Sequence, residues 1–81
     1  MKIIIYTKDY CGFCYAAKNL LTKRGLDYEE IEVTHDVLKE KEMRELSGRK
    51  TVPQIFLDGK AVGGYQELLE LDMQGQLENS Q

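Results

Sequence analysis

Apolar residues follow one another without a gap at Ile3-Ile4-Ile5-Tyr6. Consecutive rather than alternating apolar positions predict a strand covered on both faces. Thr7 to Tyr10 reads as a loop. From about Phe13 to Arg24 the period becomes helical, with Ala16, Ala17, Leu20 and Leu21 on one side. Lys23-Arg24-Gly25 then makes a stop: cations suit the C-terminal dipole and the glycine can take the left-handed closing conformation. Tyr28 to Val33 sets Tyr28, Ile31 and Val33 among glutamates and predicts a second strand. Asp36 to Ser47 predicts a second helix with a sparse apolar stripe of Val37, Leu38, Met43 and Leu46, capped by Asp36 and ended by Gly48. Gln54 to Leu57 and Lys60 to Val62 are strands joined by the tight turn Asp58-Gly59. Gly63-Gly64 interrupts the run. A last helix is expected from about Tyr65 to Met73, with Leu68, Leu69 and Leu71 apolar and Gly75 closing it. Residues after Leu77 are expected to fray.

This order predicts an α/β fold, a four-stranded mixed β-sheet flanked by three helices. The 81 residues make a single domain, 1–81, with no repeat or linker. The net charge is −3 and no basic stripe stands out, so nucleic acid is not an expected partner. The first strand is the longest strongly apolar run. It is too short for a membrane span or the apolar part of a signal peptide, so no membrane partner is expected either.

The chain holds two cysteines, in Cys11-Gly12-Phe13-Cys14. Bridging them closes a very short loop and removes little chain entropy, which makes a structural staple a poor explanation. A structural zinc site usually needs four protein ligands, and His35 would still leave one missing. An inert buried pair is the remaining bland reading. The placement favours chemistry. Cys11 stands at or next to a helix N-cap, where unpaired N–H groups and the positive dipole end favour the thiolate. Lys8 can add a nearby positive charge. Cys14 lies one turn further in, beside Cys11 and nearer the core. It is expected to act second, resolving a mixed disulfide on Cys11. A cytoplasmic location is expected, since free thiols persist there and paired cysteines are usually catalytic, sensing or metal-binding.

Tyr6-Thr7-Lys8 followed by Cys11-Gly12-Phe13-Cys14 resembles the active-site segment of glutaredoxins. Thr51-Val52-Pro53-Gln54-Ile55-Phe56 and Gly63-Gly64-Tyr65-Gln66-Glu67-Leu68 are similar to two further segments of that family, in the same order. The resemblance reaches to about Leu77. It implies a thioredoxin fold and a glutathione-dependent disulfide oxidoreductase. Its expected partners are glutathione and disulfide-containing or glutathionylated proteins, and the protein is expected to be a monomer.

The same resemblance implies that Pro53 is a cis proline facing the cysteines. The Val52 backbone would then pair with glutathione as a strand does, with Thr51 alongside. Read alone, Thr51-Val52-Pro53 is an ordinary turn into a strand. Lys8 and Arg49 become partners of the glycine-end carboxylate; read alone, each is a solvated surface cation. The γ-glutamyl carboxylate would rest where Gly64 enters the last helix, against the N–H groups of Tyr65 and Gln66. Phe13 would offer an apolar wall, and Tyr10 would border the groove.

Two departures stand out. Gly12-Phe13 replaces the proline and tyrosine common between the cysteines. It is similar to single-cysteine glutaredoxins that carry iron–sulfur clusters. A [2Fe–2S] cluster held between two chains, by one Cys11 from each and two glutathiones, is therefore a rival reading. A thioredoxin-like donor that ignores glutathione is another. Secondly, Gln66 and Glu67 stand where acidic residues commonly meet the glutathione amino group, so that contact passes to an uncharged side chain or shifts to Glu67.

Overall fold

The computed structural model describes residues 1–77, and the expected fraying after Leu77 lies outside them. The elements come in the expected order: β1 (Ile3–Thr7), α1 (Gly12–Lys23), β2 (Glu29–Glu32), α2 (Val37–Ser47), β3 (Gln54–Leu57), β4 (Lys60–Gly63) and α3 (Tyr65–Met73). They form one four-stranded sheet in the order β2-β1-β3-β4. β1 runs parallel to β2 and antiparallel to β3, and β3 is antiparallel to β4. A strand–helix–strand crossover has thus been joined to a hairpin, with β1 in the interior.

The interior position of β1 explains its unbroken apolar run. Ile3 and Ile5 join Ala17, Leu21, Leu26, Ile55, Leu68 and Leu77 on the face covered by α1 and α3. Tyr6 joins Val33, Met43 and Phe56 on the opposite face, under α2, with Ile4 packed against them. In α1 the buried residues are Cys14, Ala17 and Leu21, a stripe at helical spacing. Burying a leucine side chain such as Leu21 is worth about 1.5–3 kcal/mol. The second cysteine of the motif is therefore one of the residues that dock α1 on the sheet.

Local signals mostly read true. Asp36 caps α2 by accepting from Lys39 N–H at 3.0 Å, and Gly48 ends it with φ of +73°. Asp58 and Gly59 both have positive φ, 51° and 84°, which is what a two-residue hairpin turn requires. β2 is shorter than the predicted Tyr28–Val33. It is an edge strand whose register with β1 runs from Ile4–Glu29 to Thr7–Glu32. Its glutamates are exposed. The stripe on α2 is thinner still, since Met43 is buried while Val37 and Leu38 are each 79% exposed. Among the described residues no helix is long and apolar enough to cross a membrane.

Candidate active site

Cys11 ends the loop from β1 and is the N-cap of α1, with extended backbone angles of −110° and 108°. α1 accordingly starts at Gly12. The Cys11 sulfur accepts the Cys14 backbone N–H at 3.2 Å, a cap contact that suits negative charge on sulfur. The same thiol reaches the Val52 carbonyl, with sulfur and oxygen 3.8 Å apart. Cys11 is half-buried and Cys14 is only 1% exposed; both are free thiols. Burial, followed by the hydrogen bond with Cys11, pushes the Cys14 thiol up to about 12. At neutral pH Cys14 therefore keeps its proton. One sulfur is accessible at a helix start, and the other waits behind it.

Beside this pair lies a cleft of about 440 Å³. It gathers Phe13 from α1, Arg49, Thr51, Val52 and Pro53 from the segment after α2, and Gly64, Tyr65 and Gln66 at the start of α3. Glu67 and Leu69 complete the wall. The Val52–Pro53 bond is cis, as the resemblance implied. Phe13 is 67% exposed and its ring centroid lies 6.1 Å from that of Tyr65, so the two aromatics stand together at the rim. Tyr10 is almost fully exposed and is not among the lining residues.

The glycine pair has a steric reason. Gly63 has φ of +120°, and a Cβ there would lie 2.8 Å from Glu67 Oε1. A Cβ on Gly64 would lie 3.3 Å from the Pro53 carbonyl oxygen. The backbone at the head of α3 can thus approach the proline segment closely. Gly64 is the N-cap of α3 and its N–H donates to Glu67 Oε1 at 2.8 Å, the half of a capping box that glycine permits. That hydrogen bond holds the Glu67 carboxyl below its usual range, and Arg49, 3.5 Å away, adds to the effect. In the sequence Glu67 reads only as a partner for a ligand ammonium. Its capping role was visible as a residue three positions after the glycine, at capping-box spacing. Leu69 was missed, although it lies one helical turn after Tyr65.

Lys8 is not among the residues that line the cleft. Its ammonium is 2.8 Å from Glu40 Oε2 on α2. Strand alternation accounts for this direction, because Ile4, Tyr6 and Lys8 share a parity and Tyr6 also reaches α2, donating to Glu42 Oε2 at 2.7 Å. Glu40 was not singled out in the sequence.

A [2Fe–2S] cluster needs four ligands. Among the described residues, no group of three or more His, Cys, Asp or Glu side chains converges. Of the two sulfurs, Cys14 is enclosed, so the chain offers one accessible sulfur. The residues present do not by themselves hold such a cluster.

Solved structures place this architecture among thioredoxin folds, the scaffold of thiol–disulfide oxidoreductases. A buckwheat glutaredoxin–glutathione complex matches with a TM-score of 0.84 at 29% identity, covering 93% of this chain and 71% of that one. The glutaredoxin of Brucella melitensis matches at 0.82 and 40% identity, covering 95% and 84%. The chain belongs to the glutaredoxin family, whose model matches residues 3–62. Among curated relatives, Escherichia coli K12 glutaredoxin 3 is 43% identical over 74 residues, 91% of this chain and 89% of that protein. Rickettsia prowazekii glutaredoxin 1 is 46% identical over 78 residues, 94% and 82% of the respective lengths. The protein is a thiol–disulfide oxidoreductase.

Proposed function

We propose that the protein uses glutathione to reduce protein disulfides and glutathione mixed disulfides, acting as a monomer in the cytoplasm. The observation that carries this reading is an accessible Cys11 sulfur, in reach of the Val52 carbonyl, beside a cleft lined by Val52, by the N-terminus of α3 and by Arg49.

In the proposed cycle the Cys11 thiolate attacks the glutathione sulfur of a mixed disulfide. The old S–S bond breaks, the target leaves as a thiolate and takes up a proton, and Cys11 carries glutathione. A second glutathione thiolate attacks that glutathione sulfur. Oxidised glutathione leaves and the Cys11 thiolate returns. With a protein disulfide, Cys11 becomes linked to the target, and Cys14 loses its proton and attacks the Cys11 sulfur. The second target thiol is released and a Cys11–Cys14 disulfide forms, which two glutathiones reduce. The high position of Cys14 fits this order: it does not compete for the first attack.

In this reading each end of glutathione has its own partners. Its γ-glutamyl carboxylate meets the N–H groups of Tyr65 and Gln66 at the head of α3. Its cysteine backbone lies along Val52, with Thr51 and Pro53 beside it. Its glycine-end carboxylate reaches Arg49 on the cleft wall and extends to Lys8 beyond the lining residues. Phe13 and Tyr65 cover the apolar middle.

A glutathione-dependent assay on a glutathionylated peptide tests the assignment. Cys11→Ser is expected to abolish turnover, while Cys14→Ser keeps deglutathionylation and loses the reduction of protein disulfides. Full activity of the Cys11→Ser protein overturns it.

A further inference from the structure

Both cations assigned to the glycine-end carboxylate already hold a carboxylate of the protein. Arg49 is loosely engaged with Glu67, at 3.5 Å between side chains 51% and 37% exposed. Lys8 is held more closely, at 2.8 Å from Glu40 Oε2, between side chains 37% and 22% exposed. The same oxygen also lies 3.5 Å from Arg44 Nη2, one turn further along α2. Glu40 is in the first turn of α2, and its backbone N–H donates to the Asp36 carbonyl at 2.9 Å. The neighbouring Glu42 accepts from Tyr6 on β1 and lies 3.5 Å from Lys39. That contact sets α2 against β1 and puts Glu40 opposite Lys8.

We infer that Glu40 is a specificity-determining residue that competes with the substrate carboxylate for Lys8 and so weakens the grip of the site on glutathione-containing substrates. This rests on the glutathione reading above. An ammonium meeting one carboxylate closely has less to offer a second, because the ligand must first displace the resident anion. The exchange acts on binding alone. Glu40 belongs to α2, whereas the reacting sulfur is held at the N-terminus of α1 and the cleft by the proline segment and α3. Glu40 is thus a positioning residue that works through Lys8, and its effect falls on KM.

The test measures kcat and KM for a glutathionylated peptide with wild type, Glu40→Gln, Lys8→Gln and the double variant. Glu45→Gln, the same charge change at an exposed position on α2, is the control. Glu40→Gln is expected to lower KM roughly two- to fivefold, the range of a part-exposed ion pair, with kcat unchanged. The gain is expected to vanish in the Lys8→Gln background and to shrink at about 1 M salt, where the screening length is about 3 Å. An unchanged KM overturns the inference, as does an equal fall in Glu45→Gln or in the Lys8→Gln background. If wild type shows no glutathione-dependent turnover, the functional reading itself fails, and this inference with it. If wild type turns over and only the Glu40 effect is missing, the functional reading stands and the inference alone falls.

Discussion

On one face of the sheet, side chains from β1, β3, α1, α3 and their flanks merge into a continuous apolar cluster. On the other, Tyr6, Val33 and Phe56 meet Met43 of a single helix, α2, whose Val37, Leu38 and Leu46 remain exposed. The second face makes up for its thin apolar contact with directed polar links, Tyr6 to Glu42 and Lys8 to Glu40. The difference separates two jobs. The apolar face carries the N-termini of both α1 and α3, so one cluster positions Cys11 and Gly64 together. Arg24 of the α1 C-cap also donates to Asp72 of α3, Nη2 to Oδ2 at 2.8 Å. The polar face carries part-exposed ion pairs, Lys8 and Arg44 sharing one oxygen of Glu40.

The strongest challenge to this contrast is to empty the apolar side. Leu21→Ala is expected to cost about 2–5 kcal/mol of unfolding free energy, read from urea denaturation. A loss below about 1 kcal/mol would show that α1 is not anchored by this cluster. Gly63→Ala comes next, at about 1–3 kcal/mol, because it adds a Cβ against the Glu67 carboxylate at a φ that disfavours side chains. It is also expected to raise KM for glutathionylated substrates, since Glu67 must move from the head of α3.

Tyr6→Phe probes the polar side. Burial first, and then the hydrogen bond and charge of Glu42, push the Tyr6 hydroxyl up to about 12 from its ordinary 10. The folded protein therefore holds this proton more tightly than the unfolded chain. Its stabilising contribution is full below pH about 10 and is lost as pH rises toward 12. The stability difference between wild type and Tyr6→Phe, in urea titrations, is expected to be constant near neutrality and to narrow across that window. A difference that widened would contradict the hydrogen-bond assignment. The smallest effect belongs to Leu38→Ala, which is expected to stay within about 0.5 kcal/mol because its side chain is largely exposed. A larger cost would mean that the α2 face is better packed than its exposure shows.

Much of the molecule was legible along the chain because its signals are local. The run Ile3 to Tyr6 required cover on both faces, and β1 has it. Asp58-Gly59 allowed only a tight turn. Cys11 at a helix start and Cys14 one turn later share a helix face, and they differ in burial because Cys14 lies further into the helix while Cys11 is its cap. The cleft residues of the proline and glycine segments were legible through family resemblance, which carries tertiary information in a local motif.

Other features were settled only when distant segments met. Lys8 reads as a free cation in sequence, but α2 brings it Glu40 from 32 positions away. Glu67 reads as a ligand contact, but folding gives its carboxylate to Gly64 and Arg49. β2 is shorter than the alternation from Tyr28 to Val33 suggests, since an edge strand's extent depends on its partner's register as well as its own residues. The two cysteines were therefore determined by sequence, as a thiol at the helix start and its buried companion. Which charges remain open to a ligand was decided by tertiary structure, because the Coulomb partner of a long side chain is chosen by distance in space.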